Sequence, residues 1–441
     1  MITSNTVEAT YLSERKLITD KVKAILVSSL NLDYEPDQIN TNEILFGAGL
    51  GLDSIDSLQL TVAIKNELGT EIIEEDMWAL RSVNTIVDYV MIDKGLLGSG
   101  TGNKLDSYDN NDKTLLGYDK IRNQVLVYRN QNYLLLRFDG EEELLKLNQL
   151  VTRDIDFTPE GSVTQTLILD DQGAFVCHCY FMNNFDHHYL LFPTEAKSFV
   201  LSEFSKREIH FTDLTKSCVL HSIEGYRAAS VIESCFGPAV ATLKPFSFSL
   251  ENFDGENDYL AIRMDLHGEF GFLIISLCDT ALQCVDAQFK SNHLECTRSD
   301  EALSDFAKQL LWLESCNFDP SIAFLKGESV IEAGLTALIS FGKDEYLGKS
   351  SIHNLKHAKR LVYFRSEKKL TSDQKLFFNS TEVGYVVMCR YSSLLKQYVG
   401  NAYIFNEFAF SFIDLLSDDD EIEIKLVTAP QIIGHSYLGF L

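Results

Sequence analysis

The segment LFGAGLGLDSIDSLQLTVAIKNELGTEIIEEDMWALRSVNTIVDYV (45–90) decides how the amino-terminal part of the chain folds. Leu60, Ile64 and Leu68 recur every fourth residue, so they form one apolar stripe of a helix that opens near Asp53-Ser54. Gly69 then supplies a common helix stop. A bundle of four helices is predicted, and its other members are expected from Glu14 to Leu32, over 73–79 and from Ser82 to Met91.

A second apolar stripe on the same helix consists of Ile55, Leu58 and Val62, and the interior of a four-helix domain does not fully need it. Ser54 stands at the start of this helix. Unsatisfied backbone N–H groups and the positive end of the helix dipole favour a phosphate group there. An Asp-Ser pair before a helix is also an ordinary N-cap, so the position alone leaves both interpretations open.

Segment 45–90 resembles the acyl carrier protein family over its whole diagnostic length, including the Asp-Ser-Ile-Asp core and the Val-Asp-Tyr-Val ending. The resemblance implies that Ser54 carries 4′-phosphopantetheine, whose flexible arm reaches roughly 20 Å. It also implies three kinds of partner: a phosphopantetheinyl transferase, an acyl- or aminoacyl-loading synthetase, and carrier-dependent biosynthetic enzymes. The residues that it assigns to carrier recognition are Asp53, Ile55, Asp56, Leu58 and Val62.

Acidic side chains are frequent in this segment and favour partners that have basic patches. A merely solvated acidic face explains the same residues equally well. The side chains concerned are Asp53, Asp56, Glu67, Glu71, Glu74, Glu75 and Asp76.

The charge of the whole chain excludes several classes of partner. Its 441 residues include 64 acidic and 38 basic ones, a formal net charge of −26. This balance argues against nucleic acid or an anionic membrane as a partner. Residues 1–13 lack the apolar core of a secretion signal, and no apolar run of about 18 residues exists, so a cytoplasmic location is expected. The nine cysteines are then expected to be free thiols.

The composition predicts a multidomain protein of the α plus α+β class: a four-helix carrier bundle, a tether, and an α+β region that ends in a β-barrel-like subdomain. Residues 95–113 are rich in Gly, Ser, Asn and Asp, which is typical of a flexible linker. The predicted parts are a carrier-like domain over 1–94, this linker over 95–113, a mixed α+β region over 114–350, and the barrel-like subdomain over 351–441.

Local patterns in the second part predict a hairpin, a long helix and a β-rich tail. The hairpin joins Thr164–Leu169 to Phe175–Phe181 through the turn Asp170-Asp171-Gln172-Gly173. The helix is expected over Thr297–Leu313, and the tail runs from Arg360 to Leu438.

Most of 120–441 resembles the T-protein of the glycine cleavage system, the aminomethyltransferase (GcvT) family. The motifs that carry the resemblance include LVTRDI (150–155), IEGYRAA (223–229), HGEFGF (267–272) and VIEAGLTALISFGKDEYLGKSSI (330–352). The resemblance implies domains around a central pocket for tetrahydrofolate, a possible cofactor. The related YgfZ group is a further alternative, but its Lys-Gly-Cys motif is absent near 342–344.

Three family positions are changed in this chain. Cys177-His178 stand where the family has a pair of aspartates, Leu273 replaces a glutamate, and Trp312 replaces an arginine. A carboxylate is suited to the donor edge of a pterin, whereas cysteine and leucine are not. The catalytic residues are therefore unknown, with His178 and Glu269 as candidates. A metal site at 177–179 is not expected, because Cys177 and Cys179 of a strand point away from His178.

Two functions follow from this combination. In the first, an acyl or aminoacyl thioester on Ser54-phosphopantetheine enters a folate-enzyme-like pocket for one-carbon transfer, of the aminomethyl or methylene type, in a biosynthetic pathway. In the second, the GcvT-like region is a non-catalytic scaffold that docks the carrier. The carrier itself is non-catalytic, so whether the chain is an enzyme depends on which of these two functions the GcvT-like region has.

Overall fold

The computed structural model describes most of the chain, and the predicted linker 95–113 lies outside the described residues from position 98 onward. The described part of the chain contains an amino-terminal helical region, a body of sheets and helices, and a closed six-stranded barrel. This confirms the predicted fold class, whereas the boundaries of the four parts stay a prediction. The described residues are 3–32, 34–45, 50, 52, 54–97, 115–185, 187–253, 258–316, 329–354, 357–418 and 422–434.

The amino-terminal helices enclose the predicted stripe, because Leu60, Ile64 and Leu68 are all buried in one apolar core. One detail differs from the prediction, because the first helix begins well before Glu14. The short acidic helix is present as a 3-10 helix. The elements are α1 (Thr3–Leu30), a 3-10 turn (Pro36–Gln38), α2 (Ser54–Leu68), a 3-10 helix (Glu74–Arg81) and α3 (Val83–Asp93).

Two sheets form the centre of the body, and an apolar layer fills the space between them. One sheet has the strand order β11-β1-β7-β10-β9-β8, and the other has the order β3-β4-β5-β2-β6. The strands are β1 (Leu126–Asn130), β2 (Tyr133–Phe138), β3 (Val163–Leu169), β4 (Phe175–Asn183), β5 (His188–Pro193), β6 (Thr212–Asp213), β7 (Val219–Glu224), β8 (Phe248–Asn252), β9 (Asp258–Arg263), β10 (Gly271–Ser276) and β11 (Cys296–Arg298).

Helices cover the outer faces of both sheets, so the body is a four-layer sandwich. Val200 and Phe204 cover one sheet, and Ile232 and Phe289 cover the other. The helices are α4 (Tyr118–Asn123), α5 (Glu141–Asn148), α6 (Lys197–Lys206), α7 (Ala228–Phe236), α8 (Pro238–Ala241), α9 (Asp279–Ser291), α10 (Ser299–Ala302), α11 (Asp305–Ser315) and α12 (Lys349–Asn354), with 3-10 turns at Thr194–Ala196 and Thr336–Leu338.

The predicted hairpin is confirmed, since β3 and β4 pair antiparallel. The predicted helix over Thr297–Leu313 is wrong: a short strand, a one-turn helix and α11 replace it, and Ser304 caps α11 by accepting a hydrogen bond from the Ala307 amide. The β-rich tail closes into the barrel. Its strands are β12 (Lys359–Ser366), β13 (Lys375–Phe378), β14 (Thr381–Ser392), β15 (Gln397–Phe405), β16 (Asp414–Ser417) and β17 (Glu423–Val427).

The amino-terminal helices lie against the body and the barrel through α1 and the segment 34–43. Glu43 belongs to this segment and is partly buried. Burial raises the pKa of its carboxyl to about 8, although the Arg153 guanidinium of the body acts in the opposite direction. The carboxyl is therefore protonated at neutral pH in the folded chain.

Glu43→Gln is expected to reduce the loss of stability with rising pH. A raised pKa means that the folded chain keeps a proton that the unfolded chain releases, so stability falls as the pH rises from about 4.5 towards about 8. Thermal midpoints measured across this range should fall more for the wild type than for Glu43→Gln. The exposed Glu67→Gln variant should follow the wild type. Equal slopes for wild type and Glu43→Gln would contradict the assignment.

Candidate functional site

The helix α2 begins at Ser54, as the sequence predicts, and the residues that follow Ser54 are turned outward. Ile55, Leu58 and Val62 are 71%, 67% and 52% exposed, although apolar side chains of this size usually lie inside. Asp56 is partly exposed, and Asp53 lies outside the described residues. Three of the predicted recognition residues thus form one exposed apolar face beside the modification position.

A phosphodiester fits the position of Ser54. The helix α2 has 15 residues and begins at Ser54, so the positive end of its dipole lies there. Asp56 lies in the first turn. The helix start would favour the phosphate of a phosphopantetheine arm, and the arm would supply the thiol that forms a thioester.

The two positions that lack the family's acids face the same apolar layer between the sheets. Leu273 is fully buried in that layer together with Tyr180 of the facing sheet. His178 precedes Tyr180 on β4, and the two ring centroids are 4.6 Å apart. Cys177 and Cys179 point to the opposite, helix-covered face, which confirms the predicted alternation. His178 and Leu273 therefore border one interior region, although they come from different sheets.

His178 does not replace a carboxylate in this region. Its Nε2 atom is buried and has no hydrogen-bond partner among the described residues. Burial lowers the pKa of its imidazole to about 4, so the ring is neutral at physiological pH. Leu273 offers no polar atom at all. The residues present therefore do not fit the charged contacts that the resemblance implies for tetrahydrofolate.

Glu269, the second catalytic candidate, belongs to a buried ion cluster. The Arg122 guanidinium donates from its two terminal nitrogens to Glu269 Oε1 at 3.2 Å and to Glu314 Oε2 at 2.8 Å. The hydroxyls of Tyr118 and Ser392 donate to Glu314 at 2.8 Å and 2.7 Å. Burial opposes the charge of Arg122, but Glu314, Tyr118 and Glu269 together outweigh burial and raise the pKa of the guanidinium. This cluster joins α4, α11 and the barrel strand β14.

The chain segment 428–434 covers the ion cluster. The Ile432 amide donates to the Glu314 carbonyl oxygen at 2.7 Å. A Cβ atom added at Gly434 would lie 2.8 Å from the Glu269 Cδ atom, so this close approach requires glycine. Glu269 is thus paired and covered, and these contacts account for its burial without a ligand.

A second buried pair involves a residue to which the sequence analysis gave no role. His267 Nδ1 bonds to Glu224 Oε2, and the Tyr128 hydroxyl donates to Glu224 Oε1 at 2.6 Å. Burial alone would raise the pKa of Glu224, but His267, Tyr128 and Lys308 together outweigh burial and lower that pKa. Trp312 stacks on His267 with ring centroids 5.6 Å apart. In the sequence, His267 is marked only by its place at the start of the HGEFGF motif (267–272).

Glu332, which lies in the motif 330–352, has a structural role. The Glu332 carboxylate accepts hydrogen bonds from the amides of Ala358 and Lys359 at the start of β12. Within the described ranges, no three His, Cys, Asp or Glu side chains are grouped closely enough to hold a metal ion. Nor is any helix there both long and apolar enough to cross a bilayer.

Comparisons with known proteins identify the amino-terminal region. The sequence pattern of the family described as "Phosphopantetheine attachment site" matches residues 20–90. The acyl carrier protein of Thermosynechococcus vestitus is 36% identical over 73 residues, which are 17% of this chain and 86% of that protein. The amino-terminal part of the chain belongs to the acyl carrier protein family. We call this part, up to Leu97, the carrier domain.

The rest of the chain is similar to an aminomethyltransferase. The aminomethyltransferase of Geobacillus sp. is 24% identical over 302 residues, which are 65% of this chain and 79% of that protein. The crystal structure of the glycine cleavage system aminomethyltransferase T from Bartonella henselae superposes with a TM-score of 0.61 at 15% identity, covering 78% of this chain and 97% of that one. The chain is therefore a carrier domain fused to an aminomethyltransferase-like body, as predicted.

Arg122→Leu is expected to destabilise the body strongly. The substitution leaves two buried glutamates without a cation, which typically costs about 3–5 kcal/mol. Chemical denaturation followed by circular dichroism measures the free energy of unfolding. Arg298→Leu is the matched control, because Arg298 forms an exposed pair with Asp300 at 3.0 Å, and such pairs contribute up to about 1 kcal/mol. Equal losses in both variants would show that the cluster does not hold the body together.

Proposed function

We propose that the chain holds an acyl or aminoacyl group as a thioester on a phosphopantetheine arm at Ser54 and presents it to the aminomethyltransferase-like body. The observation that carries this proposal is the helix start at Ser54 beside an exposed apolar face, fused to such a body. Fusion raises the effective concentration of the arm near the body to about millimolar. A phosphopantetheinyl transferase and a loading synthetase are the partners that this function requires.

The chemistry proposed for the body is one-carbon transfer to or from the tethered group, in a biosynthetic pathway. It is supported by the similarity to aminomethyltransferases over most of the body. In this function the body is an enzyme, and the carrier domain delivers its substrate. The catalytic residues stay unassigned, with His178 and Glu269 as the candidates.

A non-catalytic body is the second candidate, and a specific observation favours it. His178 is neutral and Leu273 is apolar in the region where the family has carboxylates. Glu269 is already paired with Arg122, so it is not available as a replacement without loss of that pair. In this function the body is a scaffold that holds the carrier domain for other enzymes.

Ser54→Ala is expected to abolish modification of the chain. Coenzyme A and a promiscuous phosphopantetheinyl transferase should add one phosphopantetheine to the wild type, as seen by intact mass spectrometry. Ser57→Ala, on the same helix three residues further along, is the matched control and should be modified like the wild type. An unmodified wild type, or a modified Ser54→Ala chain, would refute the attachment at Ser54.

Tetrahydrofolate is expected to bind weakly, at millimolar concentration or above. Loss of a charged hydrogen bond typically costs about 1.5–3 kcal/mol, and two losses lower the affinity roughly a hundredfold or more. Isothermal calorimetry with the full chain measures this affinity directly. Weak binding supports the scaffold, whereas micromolar binding would contradict the expectation and favour one-carbon transfer. In that case His178→Ala would show whether His178 contributes.

A further inference from the structure

The barrel holds the first helix of the carrier domain. Tyr11 and Leu12 lie on α1 and pack against the apolar core of the barrel. The Tyr11 hydroxyl donates to the Ser411 carbonyl oxygen at 2.9 Å. The Arg15 guanidinium lies 5.7 Å from the centroid of the Phe412 ring. Apolar, hydrogen-bonded and cation–π contacts therefore occur together along one side of α1.

The body holds the segment 34–43 of the carrier domain at a second place. Tyr34 meets Phe341 edge to face, with ring centroids 6.3 Å apart. The Asn40 side-chain amide donates to the Gly334 carbonyl oxygen at 3.2 Å. Gly334 has a φ of 83°, and a Cβ atom added there would lie 2.2 Å from Asn40 Nδ2. The positive φ favours glycine at this position, and a Cβ atom there would displace the Asn40 amide from its present contact.

A buried carboxylate connects the carrier domain to the end of the barrel. Asp88 of α3 accepts a hydrogen bond from Arg15 at 2.6 Å on one oxygen and from the Thr428 hydroxyl at 2.6 Å on the other. The Asn42 side-chain oxygen accepts from the Ala429 amide at 3.4 Å. A buried charge is stable only when its hydrogen bonds are satisfied, and the body satisfies part of this one. Release of the carrier domain would remove that donor.

The Ser54-bearing face takes no part in these contacts. Ile55, Leu58 and Val62 keep 71%, 67% and 52% exposure with the body in place. The contacts with the body instead come from α1, α3 and the segment 34–43. The body thus holds one side of the carrier domain and leaves uncovered the apolar face of Ile55, Leu58 and Val62.

We propose that the carrier domain is a fixed part of the body, and that the phosphopantetheinyl transferase acts on it while it stays docked, from the uncovered face of Ile55, Leu58 and Val62. The arm, with a reach of roughly 20 Å, is then the moving element, instead of the domain. The second half of this proposal rests on the proposed attachment at Ser54. The first half rests on the contacts alone.

The test weakens the contacts from the body side, so that the internal core of the carrier domain stays intact. The triple variant Phe341→Ala, Phe412→Ala, Thr428→Val removes two aromatic contacts and the hydroxyl that donates to Asp88. The matched control removes the same groups elsewhere on the body: Phe157→Ala, Phe185→Ala, Thr242→Val. Phe157 and Phe185 are 83% and 82% exposed, and the Thr242 hydroxyl bonds only locally, to Pro238 and Ala239 carbonyls.

Backbone ¹⁵N relaxation of the full chain measures whether the carrier domain tumbles separately. In the wild type and the control, carrier amides should show the rotational correlation time of the body amides. In the triple variant, the correlation time of the carrier amides should fall below that of the body. Separate tumbling in the wild type would overturn the proposal. Unchanged tumbling in the triple variant would show that these contacts do not hold the carrier domain.

The rate of modification by coenzyme A and a phosphopantetheinyl transferase tests the exposed face. The wild type and the triple variant should be modified at equal rates, because the docked carrier domain already exposes Ile55, Leu58 and Val62, which follow Ser54 on α2. A faster rate in the triple variant would mean that the body covers the face, and would overturn that half of the proposal. If neither chain is modified, the attachment at Ser54 fails, while the relaxation result on docking stands independently.

Discussion

The position of Arg122 between two buried glutamates is the constraint on which the rest of the body depends. Glu314 belongs to α11 and also binds Ser392 of the barrel, whereas Glu269 precedes the central strand β10. Apolar contacts are non-directional and would allow these elements to slide. A buried cation with two fixed acceptors does not allow this, because any displacement leaves a charge unpaired. The cluster therefore sets the orientation of the barrel against the sandwich.

The same reasoning changes how the family's acidic positions are understood. The chain has buried acidic side chains at positions where they bond to other elements of the fold. Glu224 accepts a hydrogen bond from Tyr128, and Glu269 and Glu314 pair with Arg122. Acidic side chains are absent where the two sheets face each other, at His178 and Leu273. The chain has kept the polar contacts that stabilise the fold and has lost those that the resemblance assigns to folate. This distribution is the main physical reason for considering a scaffold.

Local patterns predicted the parts of this structure that depend on near neighbours in the sequence. The stripe of Leu60 and Ile64, the start of α2 and the β3–β4 hairpin all follow from spacings of a few residues. The structure of 297–313 could not be predicted, because the Ser304 cap divides a continuous helical pattern. The contact between Asp88 and Thr428 joins residues 340 positions apart, and no periodicity encodes such a pair. The role of His267, in the loop before β10, likewise depends on Glu224 at the end of β7.

The short segment that follows β17 connects the carrier domain to the region of the ion cluster. Thr428 holds the Asp88 carboxylate of the carrier domain, and the Ile432 amide holds the Glu314 carbonyl beside the ion cluster. Four residues of fully extended chain span at most about 14 Å, so the segment has little slack. A partner enzyme that pulled the carrier domain away would pull on this segment through Thr428 and, through Ile432, on Glu314. Tension at the carrier surface and the integrity of the most deeply buried charges are thus mechanically linked.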